Sequence, residues 1–154
     1  MSNYAKGEVM DRQTANFCDA LSRIYYTLPF REGIAGTEEA PVYVSAIDTQ
    51  ALLYIAEHPD CIVSDVGAHL EAVPTTVSSV IARLAERGLV VRLRNESNRR
   101  IVNLRLTEAG TALSAEILAN RQEACKTLLA SLSKADRGDL VKKVAALAKV
   151  AETE

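Results

Sequence analysis

At Gly88 the hydrophobic period of this chain changes from helical to two. Before it, Val77, Val80, Ile81 and Leu84 recur at helical spacing; after it, Val91 and Leu93 alternate with Arg92 and Arg94. Val102, Leu104 and Leu106 then alternate with Asn103 and Arg105, and the turn formers "NESN" lie between the two runs. Few architectures place a helix directly before such a hairpin. The pattern predicts a hairpin with one apolar face and one basic face.

Upstream, the chain reads as helices. Phe17, Leu21, Ile24 and Leu28 give residues 8–30 an apolar stripe. The stretch "REGIAGTEEAPVY", residues 31–43, carries Gly33, Gly36 and Pro41 and reads as a loop. Ser45 and Asp48 match an S-x-x-D capping box that opens a helix through Leu52, Leu53 and Ile55. Ser64 is the expected N-cap of a short helix carrying Val66 and Leu70. Pro74 suits the first turn of the next helix, and Gly88 suits the position just past its end. Beyond the hairpin, Thr107 is placed to cap a long helix, and "SKAD" at 133–136 opens a last one with Leu140, Val144 and Leu147.

The order helix, short helix, turn, helix, two-stranded hairpin is that of a winged helix-turn-helix. The fold class expected is therefore mainly α with a small β-hairpin wing, plus a helical dimerisation region. Residues 1–43 supply an N-terminal dimerisation helix and loop, 44–106 the winged domain, and 107–154 the C-terminal dimerisation helices.

Charge indicates what the wing addresses. The 154-residue chain holds 18 Lys and Arg against 20 Asp and Glu, a net charge of −2. Residues 83–105 nevertheless carry seven arginines opposed only by Glu86 and Glu96, so this segment is +5 on an acidic body. A local positive patch points to a local anionic partner, although a solvated basic hairpin is the plainer alternative. The helix at 74–87 is the candidate major-groove reader, offering Pro74, Thr75, Thr76, Ser78, Ser79 and Arg83. Short hydroxyls admit close approach and donate to phosphate, but Thr75 and Thr76 would also serve as helix caps. The hairpin's first strand offers Arg94 as a further DNA contact and its turn projects Asn95, Asn98, Arg99 and Arg100; arginine suits a narrow minor groove. Helix, turn and wing together predict double-stranded DNA as the partner.

The residues quoted resemble the MarR (multiple antibiotic resistance regulator) family of transcription factors. "VSAIDTQALLYIAEH" and "VSDVGAHL" are similar to its first two domain helices, and "TTVSSVIARLAERGLV" to its recognition helix. "NESNRRIVNLRLTEAG" resembles its wing and the helix start beyond. Asn95 and Asn98 stand where the family usually has aspartates, Ser79 replaces a frequent arginine, and Asp48 replaces the usual glutamine. The resemblance implies a homodimer on a pseudo-palindromic operator, with half-sites about 34–36 Å apart; a cytoplasmic location is expected instead from the lack of a membrane-span or signal-like segment. The resemblance also implies a repressor released by a small aromatic or lipophilic effector bound between the dimer helices and the winged domain; Tyr25, Tyr26 and Tyr54 are the candidate lining residues, although a structural role is the plainer one for tyrosines near a dimer seam. Oxidation of Cys18 in the first helix is the redox alternative; packing is the plainer role for a cysteine beside an apolar stripe.

Other classes find little support. Cys18, Cys61 and Cys125 form no CxxC pair, and with two histidines they suggest neither a disulfide framework, a metal site nor a cofactor. No uncharged stretch suits a membrane span, and the N-terminus lacks an apolar signal segment. No nucleophile elbow, glycine-rich phosphate loop or HExxH is present, so an enzyme is not expected. A winged-helix protein–protein adaptor would share the fold without needing the arginine wing.

Overall fold

The computed structural model describes residues 11–28, 32–37, 39, 41–94 and 101–151. Helix α1 (Arg12–Thr27) opens on Asp11, whose Oδ1 accepts the N–H groups of Gln13 and Thr14 at 2.8 and 3.0 Å. It is shorter than the 8–30 expected. Leu28 is already extended, as the residue before a proline tends to be.

The expected loop contains a hairpin. Strand β1 (Gly33–Gly36) pairs antiparallel with β2 (Pro41–Val44). Its turn signals serve the strands instead. Gly36 has φ +86°, Pro41 is the first residue of its strand, and a Cβ on Gly33 would lie 2.6 Å from Ile117 Cδ1.

Helices α2 (Ala46–Glu57), α3 (Val63–Leu70) and α4 (Pro74–Glu86) follow. Ser45 caps α2, its Oγ accepting Asp48 N–H at 3.3 Å. The capping box is only half made, because the Asp48 carboxylate turns to another partner. Ser64 is not the cap of α3. Ile62 holds that position, and Asp65 Oδ2 accepts its N–H at 2.9 Å, so an N3 carboxylate does the work expected of a hydroxyl.

Strands β3 (Val90–Arg94) and β4 (Val102–Leu106) form the second hairpin. A stub at 60–62 runs beside β4: Asp60 N–H donates to Leu104 O, Leu104 N–H to Cys61 O, and Ile62 bridges Asn103. Helices α5 (Glu108–Ala130) and α6 (Lys134–Ala151) complete the chain. Thr107 Oγ1 accepts Gly110 N–H, and Ser133 Oγ accepts Asp136 N–H at the start of α6, while the Asp136 carboxylate accepts the Ser133 hydroxyl, so the expected box is half made.

One core joins α2, α3, α4, the β3–β4 hairpin and α5 through Leu52, Ile55, Val66, Ile81, Leu104 and Ile117. Neither α1 nor α6 buries a residue. Their apolar stripes lie open: Phe17, Leu21, Ile24, Leu140, Val144 and Leu147 are all at least 41% exposed.

Candidate nucleic-acid interface

Helix α4 starts at Pro74 behind an extended Val73 that makes no side-chain cap. Neither Thr75 nor Thr76 is therefore the cap. Val77, Val80, Ile81 and Leu84 anchor one face in the core. The opposite face presents Thr75, Ser78 and Ser79 to solvent, with Thr76 half-buried at its edge. Ser79 Oγ donates to Thr75 O at 3.0 Å, which orients that hydroxyl along the helix.

The helix ends in a Schellman motif. Gly88 takes φ +68°, its N–H reaches Ala85 O, and Leu89 N–H reaches Leu84 O. The chain then enters β3 at Val90. Thr107, at the far end of the hairpin, closes the junction: its Oγ1 donates to Gly88 O at 2.6 Å and its N–H to Leu89 O at 3.0 Å. The hairpin is thus clamped at its base to the end of α4.

Its faces differ from expectation. Val91 stands opposite Arg105, Leu93 opposite Asn103, and Arg92 opposite Leu104. Cross-strand partners share a face, so Val91 and Leu93 lie on the face opposite Val102, Leu104 and Leu106, which share theirs with Val90, Arg92 and Arg94. Each face is therefore mixed. Val90 and Leu104 turn to the core, while Val91 and Leu93 remain 38% and 40% exposed.

The arginines divide into groups. Arg83 Nε and Nη2 donate to the two carboxylate oxygens of Asp48, at 3.2 and 2.6 Å. Arg105 does the same with Asp60, at 2.5 and 2.6 Å. The Arg105 hydrogen bonds hold the Asp60 carboxyl below its ordinary range. Arg87, Arg92 and Arg94 are exposed. Asn95, Asn98, Arg99 and Arg100 lie outside the described residues. The acids Asp48 and Asp60, unanticipated from sequence as partners, thus neutralise two of the seven arginines. Only the excess of acids elsewhere in the chain hinted at them.

The other candidate residues do not converge on one place. Tyr25 and Tyr26 meet edge to face, 5.2 Å apart, and line a cavity of about 400 Å³ with Leu28, Glu32, Ile34 and Asn120. Tyr54 is not among its lining residues; it stacks between His58 and His69, with ring centroids 4.3 and 4.5 Å away. Cys18 is exposed on α1. Cys61 is buried, and burial together with the Asp65 charge pushes its thiol up, away from the reactive thiolate. Among the described residues, no group of three or more His, Cys, Asp or Glu converges on a point, and no helix is long and apolar enough to cross a membrane.

Comparison with known proteins gives a consistent picture. Residues 44–101 match the family model described as the MarR family. The repressor MdtR of Bacillus subtilis is 29% identical over 103 residues, covering 67% of this chain and 66% of the repressor, just under two thirds of its length. YwhA of the same organism, an HTH-type transcriptional regulator, is 24% identical over 70% of this chain and 78% of its own. Among solved structures, Streptococcus pneumoniae FabT in complex with DNA superposes with a TM-score of 0.75 at 21% identity, covering 93% of this chain and 99% of that one. Both Bacillus relatives are named as transcriptional regulators.

Proposed function

We propose that this chain is a member of the MarR family of winged-helix transcriptional regulators, a homodimeric, ligand-responsive repressor that reads a pseudo-palindromic operator. The observation carrying this reading is the unit formed by α4 and the hairpin. A helix with an exposed hydroxyl face is fixed, through Gly88 and Thr107, to a hairpin bearing Arg92 and Arg94. In this reading α4 enters the major groove with Thr75, Thr76, Ser78 and Ser79, while one of Arg99 and Arg100 enters the minor groove and the other serves phosphate or the wing's structure.

A second copy of the chain covers the open stripes of α1 and α6. Phe17, Leu21, Leu140, Val144 and Leu147 line one apolar groove of about 580 Å³. The effector is a small, largely apolar aromatic compound held at the Tyr25–Tyr26 cavity, between α1, β1 and α5. It lowers DNA affinity to the extent that it prefers a spacing of the two recognition helices unsuited to the operator.

A gel-shift on the protein's own upstream region, with and without excess nonspecific duplex, tests the DNA reading. Retention of a specific complex under competition is the expected result. A thermal-shift screen of aromatic compounds, followed by gel-shift release, tests the effector.

A further inference from the structure

We propose that Asp48 is a positioning residue for DNA recognition, holding the Arg83 guanidinium by one edge so that the end-on edge meets DNA as a rigid donor. This rests on the reading of α4 as the recognition helix. Asp48 sits in the first turn of α2 with its side chain only 7% exposed, whereas the Arg83 side chain is 48% exposed. The pair therefore has a dry end and a wet end. Asp48 is fixed from behind: its N–H donates to Ser45 Oγ, and it follows the helix start directly. A carboxylate at a helix N-terminus is also favoured by the helix dipole.

The guanidinium carries five N–H groups in one plane. Asp48 takes the Nε–H and one Nη2–H. Three N–H groups remain: one on Nη2 and one on Nη1 form the end-on edge, and the second Nη1–H points to the third side. That edge is the end-on fork suited to a phosphate or to the O6 and N7 of a guanine.

Helical geometry places the fork where it can act. Arg83 lies four residues after Ser79 and seven after Thr76, so the three share one stripe of α4. That stripe borders the hydroxyl face described above. An untethered arginine there would lose rotamer freedom on meeting DNA; one already held by a buried carboxylate loses less. Lysine offers no equivalent, since a point charge cannot accept an edge-on clamp and present a second fork. The acid of the clamp comes from α2, 35 residues away in the sequence.

The test is a double-mutant cycle on a duplex selected from a random library by the wild-type protein, with an unrelated duplex as reference. Fluorescence anisotropy gives the ratio of the two affinities, and circular-dichroism melting follows the fold. Arg83→Ala is expected to lower the ratio about tenfold or more. Asp48→Asn is expected to lower it too, and to have no further effect in the Arg83→Ala background. Arg83→Lys keeps a cation beside Asp48, so the protein stays folded while the fork is lost; its ratio should also fall. A merely structural pair would shift the melting temperature and leave the ratio alone, and that result overturns the inference. So does an Asp48→Asn effect of equal size with and without Arg83. A wild type that selects no sequence overturns the reading of α4 and this inference with it. A discriminating wild type matched by Arg83→Lys and Asp48→Asn overturns this inference alone.

Discussion

Asp60 receives both Nε and Nη2 of Arg105, tying strand β4 to the turn between α2 and α3. The neighbouring backbone bonds, Asp60 N–H to Leu104 O and Leu104 N–H to Cys61 O, make the same connection. The base of the wing is therefore held from two sides, by Thr107 at α4 and by Asp60 at the α2–α3 turn.

Acid should loosen the second attachment. Arg105 depresses the folded-state Asp60 carboxyl below its ordinary value of 3.8. A depressed carboxyl contributes stability that is fully present above that ordinary value and is lost as pH falls through the lowered one. Urea midpoints measured from pH 5 down to pH 2 should show a steeper acid decline in the wild type than in Asp60→Asn or Arg105→Gln. Identical pH profiles would show that the ion pair is too well solvated to matter.

Two glycines set a contrast in packing. A Cβ on Gly110 would lie 2.0 Å from the Leu89 carbonyl oxygen, part of the backbone that receives Thr107 N–H. On Gly33 it would meet the ends of side chains, Ile117 Cδ1 at 2.6 Å and Thr49 Oγ1 at 2.9 Å. Backbone cannot yield as a side chain can. Gly33→Ala is expected to cost about 1–3 kcal/mol and Gly110→Ala about 3 kcal/mol or more. At about 2–4 °C per kcal/mol, melting at equal protein concentration separates them. Equal losses would mean that the Leu89 junction moves freely.

How much of this was legible depends on the range of the interaction. Period, caps and Gly88 are local signals, and from them the helix-turn-helix and the existence of the hairpin followed. The hairpin's faces did not, because the pairing of Val91 with Arg105 depends on register, and a shift of one residue exchanges the faces. The β1–β2 hairpin was hidden by Gly33, Gly36 and Pro41. Those residues answer to Ile117 on α5, to a positive φ and to a strand start, of which only the last two are local. Asp48 and Asp60 find their arginines 35 and 45 residues away, so nothing near them in the sequence marks the pairing.

Operator binding should weaken steeply with salt. If a dimer meets about 6–10 phosphates, affinity falls about 10³–10⁵-fold between 50 and 200 mM. Arg99→Ala and Arg100→Ala are expected to weaken binding while the protein stays dimeric, whereas Thr75, Thr76 or Ser79 substitutions should change base preference more than affinity. Anisotropy titrations at several salt concentrations measure both effects. A flat salt response would remove nucleic acid as the partner of the arginine-rich segment.

The switch can be assigned with one cysteine variant. A ligand at the Tyr25–Tyr26 cavity should release DNA from wild type and Cys18→Ser alike, by about 5–150-fold for a coupling of about 1–3 kcal/mol. Peroxide should release neither. The oxidation alternative needs an accessible, reactive thiolate, and Cys18 does meet the first requirement, being exposed. If peroxide releases the wild type and leaves Cys18→Ser bound, the ligand reading gives way to the redox one.

In the proposed dimer, assembly depends on surface that the winged domain does not use. Leu21 and Ile24 on α1 and Val144 and Leu147 on α6 share one open apolar groove, although neither helix contributes to the core. Burying such side chains against a second copy is worth about 1.5–3 kcal/mol each. A charge at the centre of the groove should therefore divide the dimer without unfolding the domain built on Leu52, Ile81 and Leu104. Val144→Asp is expected to sediment as a monomer with its helical signal largely kept. Removal of residues 133–154 should yield a monomer or an aggregate. Both should bind the operator weakly, since a monomer meets one half-site and about half the phosphates. Should Val144→Asp remain a dimer at micromolar concentration, the interface lies on another face of the chain.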